Sequence, residues 1–473
     1  MQRFALALIA FSCFASEPYY QRDFPSDEFQ QRWSRLFDAM EKNAVGIVQG
    51  VPLTNGYIMP RQSNEFYYLC GIETPHSYLL LDARDRTVTL FLPPRNARLE
   101  AAEGKVISYE DSELAQRITG ANKIASTDSM RGEWLGKQAP AAIYTLLSPA
   151  EGNSQSRGEL VATNASIAAD YWDGRVPREA HFAALLKARY PRARVLDLTP
   201  LLDELRAIKS PREVALIRRA SKIAGLALME AMKSTRPGLS EYHLDAAARY
   251  IFLVNGARLE GYRSITAAGN ANIWNMHYYR NLAPLKDGDV VLMDYAPEVG
   301  YYTSDIGRMW PVNGKYSPLH RELLGFVVRY HKEVMKRIRP GVTAKQIMDE
   351  ARAVMEPIHA STKWSKPIYE AAARRLIERG GGVFSHPVGM AVHDDGRYID
   401  GNLKPGHVFA VDPQLWVPEE QIYIRCEDVV AVTETGVENF TEFLPVDLDD
   451  VERFLAKREA GVVQKTPPTE KLP

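Results

Sequence analysis

The chain has 473 residues, with 58 Lys+Arg against 59 Asp+Glu, 45% hydrophobic and 25% charged residues. Those fractions exclude disorder, a collagen-like repeat and a multi-span membrane protein, and a net charge of −1 leaves no field to attract nucleic acid or an anionic membrane. Cys13, Cys70 and Cys426 are too few for a disulfide scaffold, and no Cys-x-x-Cys suggests structural zinc.

In chain order, Arg3 precedes an apolar run from Phe4 to Ala15. It is too short for a bilayer core of about 30 Å, which needs roughly 20 residues, and reads as a secretory signal over residues 1–15. The mature protein is then exported, periplasmic or secreted, with no stable membrane association. Next comes an α/β segment, residues 16–204: a helix over 29–40, strands over 46–49, 77–82 and 87–92, and a stop at Pro93-Pro94. It carries no evident catalytic cluster.

Ser210 caps a long helix with Pro211 in its first turn, and the change in chain character places a domain boundary near Leu205. A second domain over 205–447 holds helices near 240–254, 318–338, 343–359 and 368–379, separated by strand pairs. Residues 448–473 read as a polar tail.

The strand pairs carry the chemistry. Val290–Ala296 and Tyr301–Trp310 fold about a turn at 297–300, which makes Asp294 and Asp305 direct or diagonal neighbours, roughly 5–8 Å apart at Cβ. Two acids so placed repel unless a cation or proton intervenes. A second hairpin, 407–412 with 422–430, brings Asp412 near Glu427, with Arg425 on the face of Glu427. Acids inside apolar strands are seldom left unpaired. Four carboxylates and a histidine make a hard-oxygen site for two divalent metals. The histidine candidates are His386 and His393, in an irregular segment interrupted by Pro387, Gly389 and Gly396, with His277 upstream.

The ordered set His277, Asp294, Asp305, His386, His393, Asp412, Glu427, with the Ser-His-x-x-Gly-x-x-x-His-Asp core, resembles the pita-bread metallopeptidases. Residues 61–75 further resemble the N-terminal domain of aminopeptidase P more than that of prolidase. The resemblance implies an α/β (α+β) chain: a creatinase-like N-terminal domain, then a curved antiparallel sheet backed by helices. By that resemblance Asp294, Asp305, His386, Asp412 and Glu427 hold two divalent ions, Mn first and Co, Zn or Fe as alternatives. His277 and His393 contact substrate, Asp412 also moves a proton, and Arg425 orients the acids.

The expected activity is that of an Xaa-Pro aminopeptidase, acting on peptides with proline second, in a self-associating protein. A dipeptide-restricted prolidase is the alternative enzyme. The chain departs from the family pattern at Asp412, where Glu is usual in Val-Glu-Pro-Gly and this chain has Val-Asp-Pro-Gln, and at Gly382, where a histidine often stands. The short acid leaves a metal-poor peptide-binding homologue as a further alternative.

Overall fold

A computed structural model describes residues 19–53, 58–131 and 140–465, so the expected signal segment lies outside the described residues. The N-terminal half is built on a six-stranded sheet in the order Lys123–Ser126, Thr87–Leu92, Tyr78–Asp82, Ala44–Gln49, Ala142–Thr145, Arg194–Asp197. Its middle is antiparallel, Ala44–Gln49 with Tyr78–Asp82 and that strand with Thr87–Leu92, while the flanking pairings are parallel. The two-residue period of a strand explains the layering. Val45 and Ile47 pack with Leu80, Phe91, Phe182 and Leu186 on one face, and Ala44 and Val48 join the main core on the other.

The expected helix appears as Ser26–Ala39, burying Phe29, Trp33, Leu36 and Phe37 at helical spacing. Cys70 and Cys426 are buried and free; Cys13 is outside the described residues.

The helix expected after Ser210 spans Pro211–Ser234, opened by a reciprocal capping box between Ser210 and Glu213. It packs against Glu241–Val254, and the helices Pro318–Met335, Ala344–Ser361 and Pro367–Arg379 follow. The expected boundary at Leu205 falls inside the helix Thr199–Ala207.

The strands of this half pair only antiparallel: Gly307–Pro311 beside Val290–Asp294 beside Ile265–Ala268, and Val408–Val411 beside Asp428–Val432 beside Val437–Asn439. The hairpin Gln414–Val417 with Ile422–Arg425 extends the second set. The fold is that of two α/β domains, the second with antiparallel sheets backed by helices.

Two expectations are corrected. The turn of the first hairpin lies at Val299–Tyr302, not 297–300, and its return strand begins at Gly307. Gly300 and Tyr301 both take positive φ, and Tyr301 tolerates it because its ring stacks 3.5 Å from Tyr67 and its hydroxyl donates to Glu73. The segment from 448 is not a polar tail. Leu448–Ala456 is a helix whose Leu448, Val451 and Leu455 are buried, and its Glu452 accepts from the Tyr316 amide and pairs with Lys315 and Arg321. Gln464 still donates to the Ser234 carbonyl; residues 466–473 are outside the described residues. Among the described residues, no helix is long and apolar enough to cross a membrane.

Candidate metal centre

Two hairpins meet edge to edge to form the site. The pairing of Asp294 with Gly307 makes Asp305 its diagonal neighbour. Asp412 and Glu427 face each other where the second hairpin's two ladders, Val411 to Asp428 and Gln414 to Arg425, leave a gap. Reciprocal backbone bonds between Gly307 and Glu427 join the hairpins. A Cβ on Gly307 would sit 3.2 Å from Glu427 Oε2, so the glycine permits this approach.

His386 arrives on a bent segment whose Pro387 bridges to Phe409 and whose carbonyl accepts from the Ala410 amide. Gly389 is needed there, because its Cβ would lie 2.1 Å from Asp394 Oδ2.

Asp305, His386 and Glu427 each bring a ligand atom within 4.8 Å of the others. His386 Nδ1 bonds the Pro387 carbonyl at 3.1 Å, which leaves the Nε2 lone pair for a ligand, 3.3 Å from Asp305 Oδ2. Asp294 and Asp412 are tied to this triad through shared donors. The Tyr262 hydroxyl lies 2.5 Å from Asp294 Oδ1 and 3.0 Å from Asp305 Oδ1. Arg425 pairs with Asp294, and with Asp412 and Glu427 at 3.1 Å each. The structure thus gathers the five expected ligands and Arg425.

The histidines expected to meet substrate lie beside the triad: the His393 ring is 4.3 Å from His386 and 6.3 Å from His277. Glu159 accepts from His393 Nδ1 at 2.7 Å, and Ser156 Oγ accepts from the His393 amide. The N-terminal half therefore does reach the site, although its sequence carried no cluster to announce it.

Electrostatics distinguish these acids from ordinary ion pairs. Burial holds the Asp294 carboxyl well above the usual range, assisted by Asp305 and opposed by Arg425. Glu427 is raised by burial and by Asp305, Asp412 and Asp294, and Asp412 is raised chiefly by burial. Burial also works against the charge of Asp305, but the bond from His386 prevails and its carboxyl sits low. Burial, with His393 and Arg425 nearby, lowers the pKa of His277.

One guanidinium does not balance four buried carboxylates, and Asp412 Oδ1 is buried with no hydrogen-bond partner among the described residues. Unpaired charge of this kind is costly, and a hard cation with oxygen and imidazole ligands supplies what is missing. The residues fit divalent metal.

Tyr262 was not foreseen. Its only sequence cue is Gly261, whose Cβ would collide with Thr303 at 1.8 Å, and that contact is invisible in sequence. Glu159 gave no cue either. Asp394, adjacent to His393, pairs with Arg206 and with Lys209 in a buried cluster at the domain junction.

Antiparallel sheets backed by helices, with an oxygen-rich donor set between two hairpins, define a hydrolase site for divalent cations. Comparison with known proteins agrees. Residues 215–434 match Metallopeptidase family M24 and residues 29–144 match Aminopeptidase P, N-terminal domain, so the second half of the chain carries a metallopeptidase domain.

The Xaa-Pro aminopeptidase of Haemophilus influenzae is 28% identical over 458 residues, 92% of this chain and 99% of that protein. The Xaa-Pro aminopeptidase of Escherichia coli K12 is 28% identical over 453 residues, 90% and 97% of the two chains. Proline aminopeptidase P II from Yersinia pestis superposes with a TM-score of 0.73 at 28% identity, over 92% of this chain and 100% of that one. Aminopeptidase P from E. coli with the inhibitor Pro-Leu gives 0.72 at 25% identity, over 94% and 100%.

Proposed function

We propose that the chain is an Xaa-Pro aminopeptidase, releasing the N-terminal residue from peptides with proline second. The observation that carries the reading is the Asp305–His386–Glu427 triad, donor atoms within 4.8 Å, beside Asp412 Oδ1, which is buried without a hydrogen-bond partner among the described residues. The substrate class is supported by full-length similarity to proteins named Xaa-Pro aminopeptidase. Asp294, Asp305, His386, Asp412 and Glu427 would hold the metal, with Mn(II) favoured. Divalent ions held there supply Lewis acidity toward the scissile carbonyl and lower the pKa of an attacking water.

The chain's own groups do the rest. Asp412 accepts the water's proton and returns it to the departing nitrogen, which in an Xaa-Pro bond carries no hydrogen of its own. Arg425 and Tyr262 hold the acids in register by charge-assisted bonds. Glu159 fixes the ring of His393, which with His277 holds the substrate and steadies negative charge developing on the carbonyl oxygen.

The apolar run at the N-terminus supports export, and self-association is expected to accompany it.

The test is hydrolysis of Xaa-Pro-Xaa tripeptides by the Mn(II)-loaded protein. Release of the first residue, abolished by a chelator and by Asp305→Asn, is expected. Cleavage confined to dipeptides would make the chain a prolidase, and chelator-insensitive cleavage would overturn the assignment.

A further inference from the structure

The departures from the family pattern at Asp412 and Gly382 meet at Gln414, which itself stands where that pattern has Gly. The segment at 381–382 runs beside the strand carrying Asp412: the Asp412 amide donates to the Gly382 carbonyl at 3.1 Å and the Gln414 amide to the Gly381 carbonyl at 2.9 Å. A Cβ at Gly382, whose φ is +76°, would fall 2.0 Å from the Asp412 carbonyl oxygen and 2.7 Å from Gln414 Cγ. Position 382 is therefore clearance for the Asp412 backbone and, beside it, for the Gln414 side chain. Across that clearance Gln414 Nε2 donates to Asp412 Oδ2 at 2.6 Å, and Arg425 Nη1 donates to the same oxygen at 3.1 Å. Asp412 Oδ1 is buried with no hydrogen-bond partner among the described residues.

The two oxygens of this carboxylate thus have divided roles. One is occupied by two donors, and the other is left to a cation. An aspartate has a single rotatable bond between Cβ and its carboxylate, so fixing Oδ2 fixes where Oδ1 points.

We infer that Gln414 is a positioning residue: its amide, admitted by Gly382, locks the Asp412 carboxylate so that Oδ1 is presented to the metal. A bond to a buried charged group restricts its partner strongly, and outer partners of metal ligands typically change metal affinity ~10–100-fold. The inference rests on the metal-binding part of the proposed function and not on its peptide specificity.

The test is calorimetric titration of the metal-free, full-length protein with Mn(II), with thermal melting of the metal-free form as control. Gln414→Met keeps the volume over Gly382 and removes the donor. It should weaken Mn(II) binding ~10–100-fold and lower kcat more than it raises KM, with the metal-free melting temperature unchanged. In an Asp412→Asn background, Gln414→Met should cost no further affinity, because the pair acts as a unit. Wild-type affinity in Gln414→Met, or an equal loss in the Asp412→Asn background, overturns the inference alone. A wild-type protein that takes up no Mn(II) overturns it together with the proposed function.

Discussion

Two clusters of buried charge lie on either side of one peptide bond. His393 belongs to the metal centre, and Asp394 belongs to the domain junction. At the junction Arg157, Arg206 and Lys209 face the buried acids Glu65, Glu151 and Asp394. Glu151 accepts from Arg206 at 2.7 Å and Asn64 at 3.0 Å, and Glu65 accepts from Arg157 at 3.2 Å. Asp394 is held below the usual carboxylate range: burial opposes its charge, but Arg206 and Lys209 prevail. At the centre Arg425 faces four acids, and three of them are raised. The first cluster sets three basic side chains against its buried acids and holds two domains together, with Glu65 still raised to about 7 by burial and Glu151. The second sets one guanidinium against four acids, and that deficit is the signature of its function.

The largest effect expected from this contrast is at the junction. Arg206→Ala leaves buried acids without their cation and should cost about 3–5 kcal/mol, read as a lower denaturant midpoint with Mn(II) present or absent. A loss under 1 kcal/mol would mean that the junction acids need no partner.

Acid should be the next perturbation. Burial holds His320 and His331 down to about 4. Between pH 6.5 and about 4 the unfolded chain takes up protons at these two positions that the folded chain excludes, so their contribution to stability falls continuously across that window, against the opposite contribution of the raised acids Asp294 and Glu427. Each histidine can contribute up to about 1.4 kcal/mol per pH unit. Denaturation of the wild type and of His331→Gln at stepped pH checks this; equal slopes for the two proteins across that window would refute it.

Third, Mn(II) at a hundred times its Kd should add about 2.7 kcal/mol of stability to the wild type. Glu427→Gln should abolish that gain while raising the stability of the metal-free chain by about 1 kcal/mol, because it removes a carboxylate that burial disfavours. If Glu427→Gln instead destabilises the metal-free fold as Arg206→Ala does, the two clusters are not different in kind.

Proton release sharpens the same point. Burial pushes Asp294 up to about 8 and raises Glu427, so Mn(II) binding near neutral pH should expel protons, visible as a buffer-dependent binding enthalpy. The smallest effect is at Glu159. Its bond to His393 is partly solvated, so Glu159→Gln should change stability by less than about 1 kcal/mol while lowering kcat/KM several-fold.

Most elements were legible because their signals are local. Ser210, Pro211 and Glu213 mark a helix start wherever the helix later packs, and Thr87–Leu92 reads as a strand from β-branched residues closed by Pro93-Pro94. The helix at 448–456 was masked because Asp449, Asp450, Glu452 and Arg453 outnumber the apolar stripe of Leu448, Val451 and Leu455. The hairpin turn was misplaced because a tyrosine at positive φ is unfavourable locally, and only its stack on Tyr67 and its bond to Glu73 offset that cost.

The sequence by itself determined the strands, the caps and the order of acids and imidazoles, because backbone propensity and the alternation of strand faces act over a few residues. Only the tertiary structure decided that Tyr262 bridges Asp294 and Asp305, that Glu159 reaches His393 across 234 positions, and that Gln414 crosses over Gly382 to Asp412. The Tyr262 and Gln414 contacts depend on close approaches at Gly261 and Gly382, glycines whose missing side chains acquire meaning only once the chain has folded.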